Sequence, residues 1–352
     1  MSSDARLPPS ECPVPIATTD RILLGHGSGG KLTGRLVERT ILPALSNPVL
    51  ARLDDQAMVS LEGARVAFTT DSFVVTPIFF PGGDIGELAV NGTVNDLAMG
   101  GARPLALSLA LILEEGLAIA ELERVLASVR RAADRAGVSV VTGDTKVVGR
   151  GCADKLFLNT AGIGAPRAGA ELGAHRVRAG DAILVSGTVG DHGVAILSTR
   201  EGMELGGELA SDTAPLWELV SAMLDASPDI HAMRDPTRGG LAATLVEFAT
   251  RGGLGMEIDE AAVPVKDVVR GACEILGLDP LLVANEGKLV AFVPEEAAER
   301  VLATMRAHPL GGDAARIGRV TSAHPRAVVV RTLIGGARVL DLPFGESLPR
   351  IC

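Results

Sequence analysis

The chain has 352 residues, almost half of them hydrophobic, with abundant Gly and Ala; this is a globular composition with enough apolar material for two domains. A formal charge of −10 argues against nucleic acid or an anionic membrane surface as a general partner, because both require a basic face. Cys12, Cys152, Cys273 and Cys352 are far apart, form no Cys-x-x-Cys pair and suit a reducing compartment without zinc or a disulfide framework.

Residues 1–19 hold four prolines and read as a disordered tail without a secretory signal pattern. The longest apolar run, Leu105 to Leu113 interrupted by Ser108, is too short to span a bilayer, so a cytoplasmic protein is expected. Ordered structure is expected from Arg21-Ile-Leu-Leu24. Apolar stretches on either side of Glu62-Gly63 predict two strands joined by a tight turn between Val49 and Val75. Ile85 to Met99 has helical spacing. Leu122, Val125, Leu126, Val129 and Ala133 repeat at three and four residues and predict a helix over 118–136, stopped by Gly137. Val138–Val141 and Lys155–Ile163 read as strands.

Gly164-Ala-Pro-Arg-Ala-Gly169 is the expected domain boundary. Beyond it, strands are expected at 182–185, 289–293 and 327–333, and helices near 214–226, 238–251 and 295–307. A hairpin at Gly335-Gly336 leads into Ala337–Leu340. Strands and helices mix without regular alternation, which favours an α+β fold of two α/β-type domains. The divisions are 1–19 as N-terminal tail, 20–164 as first domain, 165–338 as second, and 339–352 as a mobile tail.

Four segments carry candidate chemistry. Gly25-His-Gly27-Ser-Gly29-Gly30-Lys31 nearly spells a P-loop, but Leu32 stands where a Ser or Thr would hold Mg²⁺, so a different phosphate-contacting loop is expected. Asp54-Asp55, Asp71 and Asp144 each flank a short apolar strand, where several carboxylates would converge on Mg²⁺. Glu87, Asn91 and Asn95 are spaced four apart and share a helix face; Gly92 between them implies a close backbone approach. Asp235-Pro-Thr-Arg238-Gly-Gly240 opens a helix, with Asp235 or Thr237 as cap and Arg238 as an anion attractor. Val189-Gly-Asp-His192-Gly reads as a plainer turn. Asn285-Glu286-Gly-Lys288 is either a surface turn or a placed carboxylate. Finally, Cys352 ends the run Pro349-Arg-Ile-Cys352; a segment from Val339 at about 3.5 Å per residue would span roughly 45 Å, the reach of a carrier arm.

Together, Gly25–Gly30, Asn91-Gly-Thr-Val-Asn-Asp-Leu-Ala-Met-Gly-Gly101, Asp235–Gly240 and Pro349–Cys352 resemble the HypE family of hydrogenase maturation proteins, within the aminoimidazole-ribonucleotide-synthetase-like superfamily. The resemblance runs from about Ile22 to Cys352, and the terminal cysteine is its most specific part. It implies a homodimer pairing through the N-terminal sheets, a C-terminal α/β sandwich, and ATP with Mg²⁺ as cofactors. The implied reaction is ATP-dependent dehydration of a carbamoyl group on Cys352 to a thiocyanate, with HypF as carbamoyl donor and the HypC–HypD complex receiving the cyano group for [NiFe]-hydrogenase iron. The resemblance further implies Asp55, Asp71, Asp96 and Asp144 at the metal, with Asp54 an alternative to Asp55. It implies Gly25, His26, Gly27, Ser28, Gly29, Gly30, Lys31, Asn91, Asn95 and Asp235 at ATP. Lys146 would stabilise developing charge, Glu286 would act as base, and Arg350 would assist ionisation of the Cys352 thiol. The alternatives are a small-molecule kinase or synthetase of the same superfamily and a non-catalytic thiol carrier.

Overall fold

The computed structural model describes residues 21–45, 47–203, 209–343 and 350–352. The expected tail at 1–19 lies outside them. After a 3₁₀ turn at Leu24–Gly27, α1 (Lys31–Leu36) runs through a π-helical turn into α2 (Leu42–Leu45). The strands β1 (Ala57–Leu61) and β2 (Ala64–Phe73) form the expected hairpin about Glu62-Gly63. A small hairpin, β3 (Phe79–Phe80) and β4 (Gly83–Asp84), leads into α3 (Ile85–Met99), capped by Asp84, which accepts from the N–H groups of Gly86 and Glu87. Next come β5 (Ala102–Glu114), α4 (Ile119–Ala136), β6 (Ser139–Val148) and β7 (Leu156–Pro166). Gly137 ends α4 in the left-handed conformation that its sequence position predicts.

These strands form one sheet in the order β1-β2-β7-β5-β6, all antiparallel except the β5–β6 pair. Helices α3 and α4 cover one face, where Phe73, Leu107, Leu156 and Leu158 meet Ile85, Leu88 and Val129. The opposite face leaves Phe68, Leu105, Ile112 and Ile163 exposed. β6, expected only at 138–141, runs to Val148 as an exposed edge strand.

The second half contains β8 (Ala182–Val185), α5 (Asp191–Glu201), α6 (Trp217–Ala226), β9 (Ala232–Arg234), α7 (Gly240–Gly252) and β10 (Gly255–Asp259). It continues with α8 (Asp267–Leu276), β11 (Val290–Val293), α9 (Glu295–Ala307), β12 (Ala315–Thr321), β13 (Val328–Arg331) and β14 (Ala337–Leu340). The seven strands order as β14-β13-β10-β12-β8-β11-β9. Every residue of β8 and β11 is buried because both faces are covered, and so these strands read as unbroken apolar runs. Leu184, Ala291 and Val293 pack with Val220 and Val301 of α6 and α9; Ile183, Val290 and Phe292 pack with Leu241, Leu245 and Phe248 of α7. The result is a mixed α/β chain built on two sheets, the second sandwiched between helical layers. Among the described residues no helix is long and apolar enough to cross a membrane.

The halves are joined through α3. Asn95 donates to the carbonyl of Ala214 at 3.0 Å and accepts from the N–H of Leu216 at 2.8 Å, while Asn91 donates to Thr213 Oγ1 at 3.1 Å. Ala98 and Met99 sit in the apolar cluster of the second half. Val339 and Leu340 pair within β14, and residues 350–352 are seated against the segment after β2.

Candidate active site

Four acidic residues, three from the first half and one from the second, come together. Asp55 precedes β1, Asp71 lies on the inner face of β2, Asp96 is on α3, and Asp235 follows β9. Asp55, Asp96 and Asp235 each offer one carboxylate oxygen within 4.8 Å of the others. Thr69 Oγ1 donates to Asp96 Oδ2 at 2.8 Å, and Arg234 Nε reaches Asp55 Oδ1 at 2.8 Å. Asp54 faces Arg52 at 2.7 Å instead, so Asp55 is the member of the pair that enters the group.

Burial dominates the electrostatics. It pushes Asp55 up to about 6, with Arg234 opposing, and Asp235 up to about 7, with Asp55 adding repulsion. Asp96 is held well above the carboxylate range by burial and by Asp235, Asp55 and Asp71; burial also raises Asp71 against the pull of Arg238. Carboxylates crowded into a dry site call for a compensating cation. An all-oxygen donor set of this kind fits Mg²⁺, with Asp55, Asp96 and Asp235 as holders and Asp71 adjacent.

A second wall adjoins the acidic group. Arg238 Nη1 donates to the carbonyl of Gly27 at 2.8 Å, locking the glycine loop onto the Asp235–Gly240 turn. A Cβ on Gly29 would stand 2.8 Å from the Arg238 carbonyl, and φ there is +79°, which explains the glycine. Ser28, Gly29, Gly30, Arg238, Gly239 and Ile351 line a small cleft. α7 begins at Gly240 with Gly239 as N-cap and no side-chain cap, so neither Asp235 nor Thr237 caps it; Asp235 is turned into the acidic group.

The third element is the chain end. The Cys352 thiol lies beside Glu286, and burial, Glu286 and Asp71 push it well above the usual thiol range, while Arg238 pulls it down. Glu286 is buried, not on a surface turn, and its pKa is raised well above the carboxylate range by burial and by Asp235, Asp71 and Asp212. Its Oε1 has no hydrogen-bond partner. Arg350, expected beside the thiol, instead pairs with Asp154 and donates to the Val74 carbonyl; Arg238 is the cation that faces Cys352.

Asn91 and Asn95 are fully buried, and their bonds tie the two halves together; Asn95 also donates to the Glu286 carbonyl at 3.3 Å, and Asn91 Oδ1 has no hydrogen-bond partner. Gly92 fits as expected, since a Cβ there would lie 2.9 Å from the Phe73 ring and 3.7 Å from Asp71 Oδ2. Lys31 Nζ pairs with Asp341 at 2.5 Å, and the His26 ring folds back on Leu23. Asp144 and Lys146 pair with each other at 2.7 Å on exposed β6, away from the acidic group of their own chain. Arg234 and Thr69 escaped sequence reasoning because neither belongs to a motif; His192, in a turn read as plain, turns out to contact Ile351.

A glycine loop held by Arg238, beside a group of acidic side chains drawn from both halves, is a constellation suited to a phosphoryl-handling class of protein. The AIR synthase related N-terminal domain matches residues 53–165, and the AIR synthase related C-terminal domain matches residues 178–331. The chain is 53% identical over 327 residues to the carbamoyl dehydratase HypE of Azotobacter vinelandii, covering 93% of this chain and 96% of that protein. A crystal structure of the hydrogenase maturation protein HypE in complex with ATP superposes with a TM-score of 0.80 at 51% identity, covering 94% of this chain and 100% of that one. A HypE–HypF complex structure gives 0.83 at 44% identity, covering 88% and 99%. The chain therefore belongs to the HypE family of AIR synthase related proteins.

Proposed function

We propose that this chain is an ATP-dependent carbamoyl dehydratase that acts on a carbamoyl group carried by its own Cys352 and supplies cyanide for [NiFe]-hydrogenase iron. The observation that carries the reading is the contact between the Cys352 thiol and Glu286, with Arg238 and Asp71 beside them and the acidic group adjoining. A thiocarbamate in place of the thiol would present its amide to Glu286 and its oxygen toward the cleft.

Turning an amide into a nitrile requires loss of oxygen, which leaves readily only as phosphate. The carbamoyl oxygen attacks the γ-phosphorus of ATP, the bond to ADP breaks, and one N–H proton is lost. Removal of the second N–H proton then forms the C≡N bond as the C–O bond breaks and phosphate departs. Glu286 lies beside the thiol, where it would take an N–H proton of the thiocarbamate, and burial raises its proton affinity. Arg238 supplies positive charge at the cleft, and the glycine loop at 25–30 offers backbone without obstructing side chains. Mg²⁺ held by Asp55, Asp96 and Asp235 would neutralise phosphate charge.

HypF as carbamoyl donor, HypC–HypD as acceptor and a cytoplasmic location complete the reading. A homodimer is supported by the apolar sheet face bearing Phe68, Ile112 and Ile163. Asp144 and Lys146 register with Ala110 and Ile112 on that same open face, which favours their acting on the nucleotide of a partner subunit.

The test is the intact mass of the chain after carbamoylation by HypF, with and without Mg-ATP. Loss of one water from the Cys352 peptide only with ATP is expected; a carbamoyl adduct that persists unchanged overturns the reading. A Cys352→Ala variant still turning over a diffusible substrate would point to a kinase or synthetase instead.

A further inference from the structure

The seat of the last three residues is built largely from main chain. The Val74 N–H donates to the Cys352 carbonyl at 3.1 Å and the Thr76 N–H to the Arg350 carbonyl at 3.3 Å, so the tripeptide pairs like a short strand. Arg200 Nη2 bridges the Arg350 carbonyl at 2.9 Å and the Thr76 carbonyl at 2.7 Å. The Ile351 side chain is buried among Leu197, Ala284 and their neighbours. The intervening Ile351 carbonyl is met by His192 Nε2 at 2.9 Å.

A carbonyl only accepts, so Nε2 carries the proton. His192 Nδ1, 2.8 Å from Ser211 Oγ, must then accept from that hydroxyl. Burial holds the His192 pKa below its usual value, which keeps the ring in this neutral form. Ser211 adjoins Asp212, whose Oδ1 accepts from the Glu286 N–H at 3.0 Å. One string of contacts therefore runs from the Ile351 carbonyl, through His192 and Ser211, to the backbone of the residue that faces the thiol.

We propose that His192 is a positioning residue: it latches the Ile351 carbonyl and so sets Cys352 opposite Glu286. The inference deepens the reading of Cys352 as carrier, and rests on it only for its catalytic consequence. The latch serves dehydration, which needs the seated thiol, and not carbamoyl loading, which takes place when the tail has been released to a partner.

The test compares His192→Gln with His192→Asn in the full chain. A Gln amide N–H can take the place of Nε2–H, whereas the shorter Asn amide matches Nδ1 and leaves the Ile351 carbonyl unmet. Peptide-resolved alkylation of Cys352 by iodoacetamide is the readout, with exposed Cys152 as internal reference. Loss of one buried hydrogen bond is expected to raise Cys352 alkylation about tenfold in His192→Asn, with His192→Gln near wild type. Single-turnover dehydration should fall in His192→Asn by a similar factor, while loading by HypF is unchanged. Equal alkylation of Cys352 in the two variants at equal Cys152 reactivity overturns the latch, as does a loss of loading that matches the loss of dehydration. The alkylation comparison holds even if the wild-type chain never loses water with ATP, so failure of the latch and failure of the proposed function are separate results.

Discussion

Arg234 Nε lies 2.8 Å from Asp55 Oδ1, on the rim of a group of buried and half-buried carboxylates that also includes Asp96 and Asp235. One guanidinium does not neutralise that group. Asp55 and Asp235 remain displaced upward, to about 6 and about 7, by burial and by neighbouring carboxylates. A folded pKa raised above the unfolded value contributes stability that is present below the unfolded pKa and lost as pH rises through the folded one. Without divalent cation, thermal stability should therefore fall between about pH 4 and about pH 7 through this group, and Mg²⁺ should restore it increasingly as pH rises. Melting curves across that range with EDTA or Mg²⁺ check this; a Mg²⁺ effect that is greatest at the acid end counts against the assignment.

Asp71 lies beside both the acidic group and the thiol. Asp71→Asn keeps shape but removes charge. The variant should still accept a carbamoyl group on Cys352 and lose ATP-dependent dehydration by about a hundredfold or more, in the range seen when one group stabilising transition-state charge is removed. Intact-mass time courses give the answer, and normal thiocyanate formation would set aside the role of Asp71.

Gly92 is where α3 touches β2. A Cβ there stands 2.9 Å from the Phe73 ring, in a layer that cannot easily give, since Phe73 is itself fully buried. Gly92→Ala should cost about 1–3 kcal/mol despite the better helix propensity of alanine. Denaturant unfolding measures it, and a more stable variant would mean that the layer yields.

Lys146 provides the test of a site shared between subunits. It projects, with Asp144, from the sheet face that also exposes Ile112. Lys146→Ala and Cys352→Ala, each inactive in dehydration alone, should recover up to about one quarter of wild-type activity when co-refolded as a random dimer mixture, because only one of two sites in each mixed dimer would be complete. No recovery despite mixed dimers seen by native mass spectrometry would place Lys146 with its own chain's nucleotide.

Local order was legible wherever one residue pattern decides the matter. α4 shows its apolar repeat and Gly137 stop, β8 its unbroken apolar run, and α9 its bounds at 295–307. The site was legible in part. The motifs single out Asp55, Asp71, Asp96, Asp235, Glu286 and Cys352, and the structure gathers them, with Asn95 bonded to the Glu286 carbonyl; Lys31, Asp144 and Arg350 form ion pairs elsewhere within the single chain. A polar side chain on a helix face looks the same in sequence whether it awaits a ligand or a neighbouring backbone. Asn95 differs only because the 214–216 backbone arrives opposite it.

What the amino-acid order determined by itself was periodicity, turn chemistry and family, all properties of neighbours along the chain. Which cation faces Cys352, which carbonyl His192 meets, and which carboxylates cluster were decided only when segments far apart in the chain came close in space. Charge and hydrogen-bond energies fall off over a few ångströms of space, and distance along the sequence carries no record of that separation.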